Sequence, residues 1–381
     1  MKAIHFVTGA TGFVGSNLVL ELLEQPGTEV YALVRPAEES SELRLQSALR
    51  HAARAAGYST ALDEVISQRC HAVEGDIHNE NCGARAASLP RPDQFWHVAA
   101  SVRYEDRYAA EIYRTNVEGT RNALALARCS GAQSHFNYVS TAYVSGRRMG
   151  VIPEEVCSDH AANNPYEHSK MQAEALVHQS HDLRPRIFRP SIVIGHSITR
   201  EVASGFSGFY GFIRRILRLR QLLDRIQEGL ASRAALRVIA DPGALLNLIP
   251  VDVVARQMVR ISQSGSRATV FHITNPGPPP AADVARVIFR ELELRPPAFV
   301  RDATGMSWIE QKIEEGLGFY KSYFRGTRLF DRRNSDQALD DKAAELGYCM
   351  DSAMLTEYVR WYAGVLRRST NLLPRPSAAA A

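Results

Sequence analysis

Eight residues near the start of the chain constrain its fold more than any others: Thr8-Gly9-Ala10-Thr11-Gly12-Phe13-Val14-Gly15. The apolar run AIHFVT leads into them, and SNLVLELLEQPG follows with apolar residues at helical spacing. Glycines spaced this way between a strand and a helix let the backbone turn tightly and approach a pyrophosphate, which then rests on the positive end of the helix. Three spaced glycines alone would mean little. Flanked by a strand and a helix, they predict a dinucleotide loop, with Thr8, Gly9, Thr11, Gly12, Phe13, Val14 and Gly15 around the phosphates.

The next 180 residues extend the same pattern. Short apolar runs at Ala3–Thr8, Glu29–Val34, Cys70–Glu74, Gln94–Val98, Ser134–Ser140 and Arg186–Arg189 alternate with helical stretches, as in a parallel, doubly wound sheet. From Ser191 the pattern changes. Phe206 to Leu230 reads as a long helical stretch rich in aromatics and arginines, and LNLIPVDVVARQM and VFHITNPG are expected to rejoin the sheet. The predicted fold class is α/β, a Rossmann sheet with a smaller, mostly helical substrate-binding domain built from discontinuous segments. Residues 1–190 and 246–275 are assigned to the first domain, 191–245 and 276–370 to the second, and 371–381 to a disordered tail. The second domain is expected beside the carboxyl ends of the strands, where such sheets bind ligands.

Composition narrows the function classes. With 381 residues, 45% hydrophobic and 23% charged, the chain can bury a large core. A formal net charge of +4 implies no bulk attraction to nucleic acid. No run reaches the roughly 20 apolar residues that span a bilayer, and the first strand starts too early to follow a signal peptide, so a cytoplasmic location is expected. Cys70, Cys82, Cys129, Cys157 and Cys349 are scattered without metal-ligand spacing, and predict reduced thiols and no metal.

The second strand, EVYALVRP, ends in Arg35, about 20 residues beyond the loop, where an NAD-specific enzyme carries an acid for the ribose 2′-hydroxyl. An arginine there would attract a 2′-phosphate, with Arg44 as a second contact, which predicts NADPH/NADP+. Gly75-Asp76-Ile77 suits a loop touching the adenine through Asp76. Ala99, Ala100 and Ser101 end the fourth strand with small residues suited to lie under the nicotinamide ribose. Asn116 reads either as a helix-bending polar residue that holds a water or as a satisfied surface amide.

Tyr166 and Lys170 are four apart and so share one helix face, after the start signal Asn164-Pro165. A nearby ammonium favours a phenolate and brings a tyrosine, with an ordinary pKa of about 10, closer to use as a general acid or base. Thr141, ending the fifth strand, could hydrogen-bond the same substrate oxygen, with Ser140 as the alternative. The apolar positions of 206–228 read as packing. Its interleaved Arg214, Arg215, Arg218 and Arg220 read as a solvated face, a dock for CoA or an acidic carrier, or a membrane-surface contact. Trp308, Phe319, Tyr320, Tyr323 and Phe324 read as helix core or as an acyl-chain lid.

TGATGFVG, HVAAS, NVEGT, YVSTAYVSG, PYEHSK and RPSIVIG occur in the order found in extended short-chain dehydrogenases/reductases, a resemblance covering about the first 195 residues. VSTAYVSG, RPSIVIG and LIPVDVVA most resemble the thioester reductase and fatty acyl-CoA reductase branch. The resemblance implies hydride delivery from NADPH to an acyl thioester held on CoA or a carrier protein, giving an aldehyde and in some members an alcohol. It also implies Thr141, Tyr166 and Lys170 as the catalytic set, and cofactor contacts from Ser140, Asn116, Pro190, Ile192 and Val193. Two alternatives stand beside it: a dehydrogenase of a secondary alcohol or ketone, similar to 3β-hydroxysteroid dehydrogenases, and a non-enzymatic NADP-binding protein. Beyond Gly195 the resemblance loosens, and the substrate and oligomeric state are not legible.

Overall fold

A computed structural model describes residues 3–85, 89–131, 135–156, 161–206, 208–241, 243–324, 326–340 and 348–369. Cys157 and the tail 371–381 lie outside the described residues, as do the side chains of Phe319 and Tyr320. The chain divides into two compact units, one of residues 1–205, 247–276 and 328–347, the other of 206–246, 277–327 and 348–381.

The first unit opens with β1 (Ala3–Thr8), α1 (Phe13–Leu23), β2 (Thr28–Val34), α2 (Ser41–Ala55), α3 (Ala61–Arg69), β3 (Cys70–Glu74) and β4 (Gln94–His97). It continues through α4 (Ala109–Tyr113), α5 (Gly119–Cys129), β5 (Phe136–Val139), β6 (Gly150–Ile152), α6 (Pro165–His178), β7 (Arg186–Pro190) and β8 (Ile192–Ile194). Seven strands form one sheet in the order β11-β7-β5-β4-β1-β2-β3, where β11 is Val270–Ile273. Every pairing in it is parallel. The chain winds outward from β1 to β3, returns to β4 and winds the other way, so the switch point lies between β1 and β4. Ligands bind outside the carboxyl ends of the strands at such a point. The core strands are short and largely buried, with all four residues of β5 sealed, as in a sheet covered on both faces.

The first unit holds more of the chain than 1–190 and 246–275. Residues 191–205 join it because β8 pairs with β10 (Leu248–Pro250) and the Thr199 hydroxyl donates to the Ala55 carbonyl at 2.6 Å. Residues 328–340 join it through β13 (Arg328–Phe330), which pairs with β6, and through a buried polar knot. In that knot the Glu154 carboxylate accepts from the His272 amide, the Asn334 amide and the Ser335 hydroxyl, at 2.7, 2.5 and 2.5 Å. Arg332 donates to the carbonyls of His272 and Thr274. Burial pushes the Glu154 carboxyl up, and these hydrogen bonds oppose the shift. Two further helices complete the unit, α9 (Val251–Gln263), which packs on α1, and α12 (Arg333–Ala338).

The second unit contains α7 (Phe209–Ile226), α8 (Leu230–Arg233), β9 (Arg237–Ile239), α10 (Ala281–Glu291), β12 (Ala298–Val300), α11 (Trp308–Leu317) and α13 (Ser352–Ser369). Phe209, Tyr210, Phe212, Ile213, Ile216, Leu217 and Leu223 of α7 are buried as core. Arg214 donates to the Tyr362 hydroxyl at 2.8 Å, and Arg220 pairs with Glu293 at 2.6 Å, so these two are structural contacts. Tyr323 and Phe324 are buried, with Phe324 5.3 Å from Phe212, whereas Trp308 is exposed. Among the described residues the four cysteines are free, and no helix is long and apolar enough to cross a membrane.

Candidate active site

The glycine loop sits at the switch point. Gly9 has φ +77°, and a Cβ there would lie 2.6 Å from the Ala99 nitrogen at the end of β4. A Cβ at Gly15 would lie 2.0 Å from the Gly9 carbonyl oxygen. Both positions need glycine for close backbone approach, as a dinucleotide loop does. Gly12 caps α1 without a side-chain hydrogen bond, so the first N–H groups of the helix remain available to an anion. Arg35, at the end of β2, is exposed, and the Arg44 guanidinium donates to its carbonyl at 2.5 Å, which keeps two positive charges together.

Several residues assigned to the cofactor serve the fold with their side chains. Thr8 is buried: its hydroxyl accepts from the amides of Val98 and Ala99, at 3.2 and 3.3 Å, and pairs with His97 Nδ1 at 2.7 Å. Ile77 packs against Gly119, and Asn122 donates to its carbonyl. The Asp76 carboxylate accepts from the His78 amide at 3.0 Å, which shapes the turn after β3. Asn116 is not a surface amide; it interrupts the helix, as a helix-bending polar residue does. It is buried in a π-helical turn, Arg114–Glu118, its Oδ1 accepting from the Ser101 amide at 2.7 Å. Its amide hydrogens go to the Ser101 carbonyl and the Ser169 hydroxyl, at 3.0 and 2.9 Å. It therefore clamps the β4 loop to α6. Pro190 ends β7, while Ile192 and Val193 are half-buried in β8.

α6 begins where Asn164 and Pro165 predict. The Asn164 side chain accepts from the Glu167 amide at 2.9 Å, with proline in the first turn. This start places Tyr166 at the mouth of the sheet, half-buried and hydrogen-bonded to Thr141. Thr141 also accepts from the Tyr143 amide at 3.3 Å, which holds its hydroxyl in place. Ser140, one residue earlier, is buried with no partner for its hydroxyl among the described residues.

Lys170 differs from the expectation. Its ammonium is buried and donates to the Tyr138 hydroxyl at 3.1 Å and the Val139 carbonyl at 2.8 Å, and it lies 4.6 Å from the Tyr138 ring centre. Burial brings its pKa down to about 7, against the supporting charge of Glu174. Tyr166 is pushed well above the ordinary tyrosine value by burial and by Glu167, with the Thr141 hydrogen bond opposing. The sharing of a helix face thus does not by itself lower the Tyr166 pKa, because desolvation is the largest influence on it.

Three residues of the arrangement were not singled out from the sequence: Tyr138, Thr120 and His97. Each is buried, and each reads in sequence as part of an apolar strand or a helix interior. Glu167 is a fourth. It is held by the amide and side chain of Asn163 at 2.8 and 2.9 Å, directly behind Tyr166 in the chain.

Residues 7–258 match a family of NAD-binding proteins described as Male sterility protein. The chain belongs to this family. It is 26% identical, over 93% of its length, to an aldehyde reductase of Aspergillus flavus, and spans 36% of that protein. It is 31% identical, over 73% of its length, to the L-2-aminoadipate reductase large subunit of Penicillium chrysogenum, and spans 19% of it. Among solved structures, the terminal reductase domain from the myxalamid biosynthetic pathway superposes with a TM-score of 0.70 at 23% identity, covering 99% of this chain and 93% of that one. The likeness in structure confirms the doubly wound fold of the family.

Proposed function

We propose that the protein reduces an acyl thioester, held on CoA or a carrier protein, to the aldehyde with NADPH. The observation that carries this reading is the hydrogen-bonded pair Thr141–Tyr166, with the dry Lys170 one turn further along the same helix, in a unit whose sheet also carries the glycine loop. Two relatives, the aldehyde reductase and the L-2-aminoadipate reductase subunit, are reductases as well, which supports the same reading.

Gly9, Gly12 and Gly15 would admit the pyrophosphate, and Arg35 with Arg44 would hold a 2′-phosphate. The nicotinamide, when bound, supplies the hydride. As a C–H bond forms at the thioester carbon, its oxygen gains negative charge, and Thr141 and Tyr166 donate hydrogen bonds to it. The high pKa of Tyr166 keeps its proton available, so Tyr166 serves as donor and general acid, giving a hemithioacetal. Collapse breaks the C–S bond, re-forms the carbonyl and releases the thiol, the hemithioacetal hydroxyl proton passing through Tyr166 to the sulfur.

The test is incubation of the protein with NADPH and a panel of acyl-CoA and carrier-bound thioesters, following cofactor absorbance and free thiol together. One thiol per NADPH marks the aldehyde, and one per two NADPH the alcohol. Tyr166→Phe should lose about 10²- to 10⁴-fold in turnover while still binding NADPH. Consumption on no thioester, with NADP+ reduced by secondary alcohols instead, would refute the reading.

A further inference from the structure

Four polar side chains cross the interior of the sheet in one row. Thr8, His97 and Tyr138 are register partners on the adjacent strands β1, β4 and β5. The His97 and Tyr138 rings stack at 5.8 Å. Thr120 of α5 closes the row from above, bonded to His97 Nε2 at 3.1 Å and to the Tyr138 hydroxyl. The row runs from the glycine loop to Lys170. All of its members are buried, where apolar residues would pack without the cost of desolvating hydroxyls and an imidazole.

Counting protons gives the row a single direction. The Thr120 hydroxyl donates to the Asn116 carbonyl at 2.6 Å, so its oxygen only accepts from its other two partners. His97 must then donate through Nε2, which leaves Nδ1 to accept from Thr8. Burial drives the His97 pKa down to about 3, consistent with one fixed neutral tautomer. Tyr138 must likewise donate to Thr120, so its oxygen can only accept from Lys170. Because the donors converge on Thr120 and end at a backbone carbonyl, the row cannot pass a proton onward. It is a fixed scaffold that turns an acceptor toward the ammonium.

We propose that Tyr138 is a positioning residue for Lys170: held by Thr120 and His97, it fixes where the ammonium points and supports its charge in a dry site. With Tyr138 and the Val139 carbonyl engaged, one N–H of Lys170 remains for a bound ligand. The other groups facing Lys170 are Glu174, which supports its charge while paired with Arg189 at 2.6 Å, His97, which stays neutral, and Tyr166 on the preceding turn of α6. This inference rests on the reading of Lys170 as part of the catalytic set.

The experiment measures NADPH affinity by fluorescence titration, and turnover, from about pH 4.5 to 10 for the full chain and for Tyr138→Phe, Thr120→Val, Thr120→Ser and Lys170→Met. The wild type should lose affinity and turnover as Lys170 gives up its proton. In Tyr138→Phe that limb should move down by about one to two pH units, the worth of one hydrogen bond to a charged group. Thr120→Val should move the limb the same way by less, and Thr120→Ser should restore it. A Tyr138→Phe limb at the wild-type pH, with Lys170→Met impaired in both measurements, overturns the proposal and leaves the catalytic reading standing. Lys170→Met with wild-type affinity and turnover overturns both.

Discussion

Replacing Glu174 by glutamine keeps the shape of the site and removes one buried charge. Glu174 accepts from Arg189 Nε and Nη2, at 2.9 and 2.6 Å, and both side chains are almost sealed from water, at 2% and 3% exposure. Glutamine leaves the Arg189 guanidinium charged with only an amide, the Glu155 carbonyl and His272 Nε2 around it. Breaking a buried pair from one side costs about 3–5 kcal/mol. Unfolding a unit of about 250 residues carries roughly 0.5 kcal/mol/K of entropy, so the melting temperature should fall by about 6–10 °C. Removing both ions together, with Glu174→Leu and Arg189→Met, should recover most of that loss, because the buried pair also carries the desolvation of two ions. The same change reaches the active site. Glu174 is one turn beyond Lys170 and is the charge that holds the lysine pKa up against burial, so in Glu174→Gln it should fall below about 7. Circular dichroism melts at pH 8 and the pH profile of turnover read the two effects. A single variant melting within about 2 °C of the wild type, or a double variant as unstable as the single, would refute the reasoning.

Two further outcomes follow from the same charges. Arg35→Ala with Arg44→Ala should weaken NADPH binding by roughly 10- to 100-fold and leave NADH binding unchanged; an equal loss for both cofactors, by fluorescence titration, would remove these arginines from the 2′-phosphate. Lys170 has a folded pKa near 7 and an unfolded value of 10.5, so between those values the unfolded chain binds the extra proton and the wild type gains stability as pH rises. Lys170→Met should lack that gain, and parallel pH dependence of denaturant midpoints in the two proteins would refute it.

What was legible in the sequence was whatever obeys a short period. β1 and β3 begin and end where their apolar runs do, β2, β4 and β7 differ by one residue at one end, and β5 is shorter at both ends. The glycine loop and the start of α6 follow from local backbone chemistry. Tyr138 was not legible because Phe136–Val139 is four buried residues in succession, and an aromatic ring in such a strand looks the same whether or not its hydroxyl has work to do. Thr120 and His97 become meaningful only through register between strands. The membership of 328–340 in the first unit was equally hidden. It depends on a three-residue pairing between β6 and β13 across a long stretch of chain, and on Glu154 collecting donors from two distant segments.

The glycine loop and Lys170 are joined through one hydroxyl. Thr8 accepts from the amides of Val98 and Ala99, and Ala99 is the residue against which Gly9 is packed. The same oxygen donates its proton to His97, which starts the row ending at Lys170. Any shift of Thr8 must therefore move the floor of the glycine loop and also loosen the acceptor that holds the ammonium. A YxxxK pair on a helix has no such coupling by itself. The coupling comes from placing that helix over a sheet whose first and fifth strands are linked through a neutral imidazole on the fourth, so that where the dinucleotide rests and where the lysine points are set by the same buried atoms.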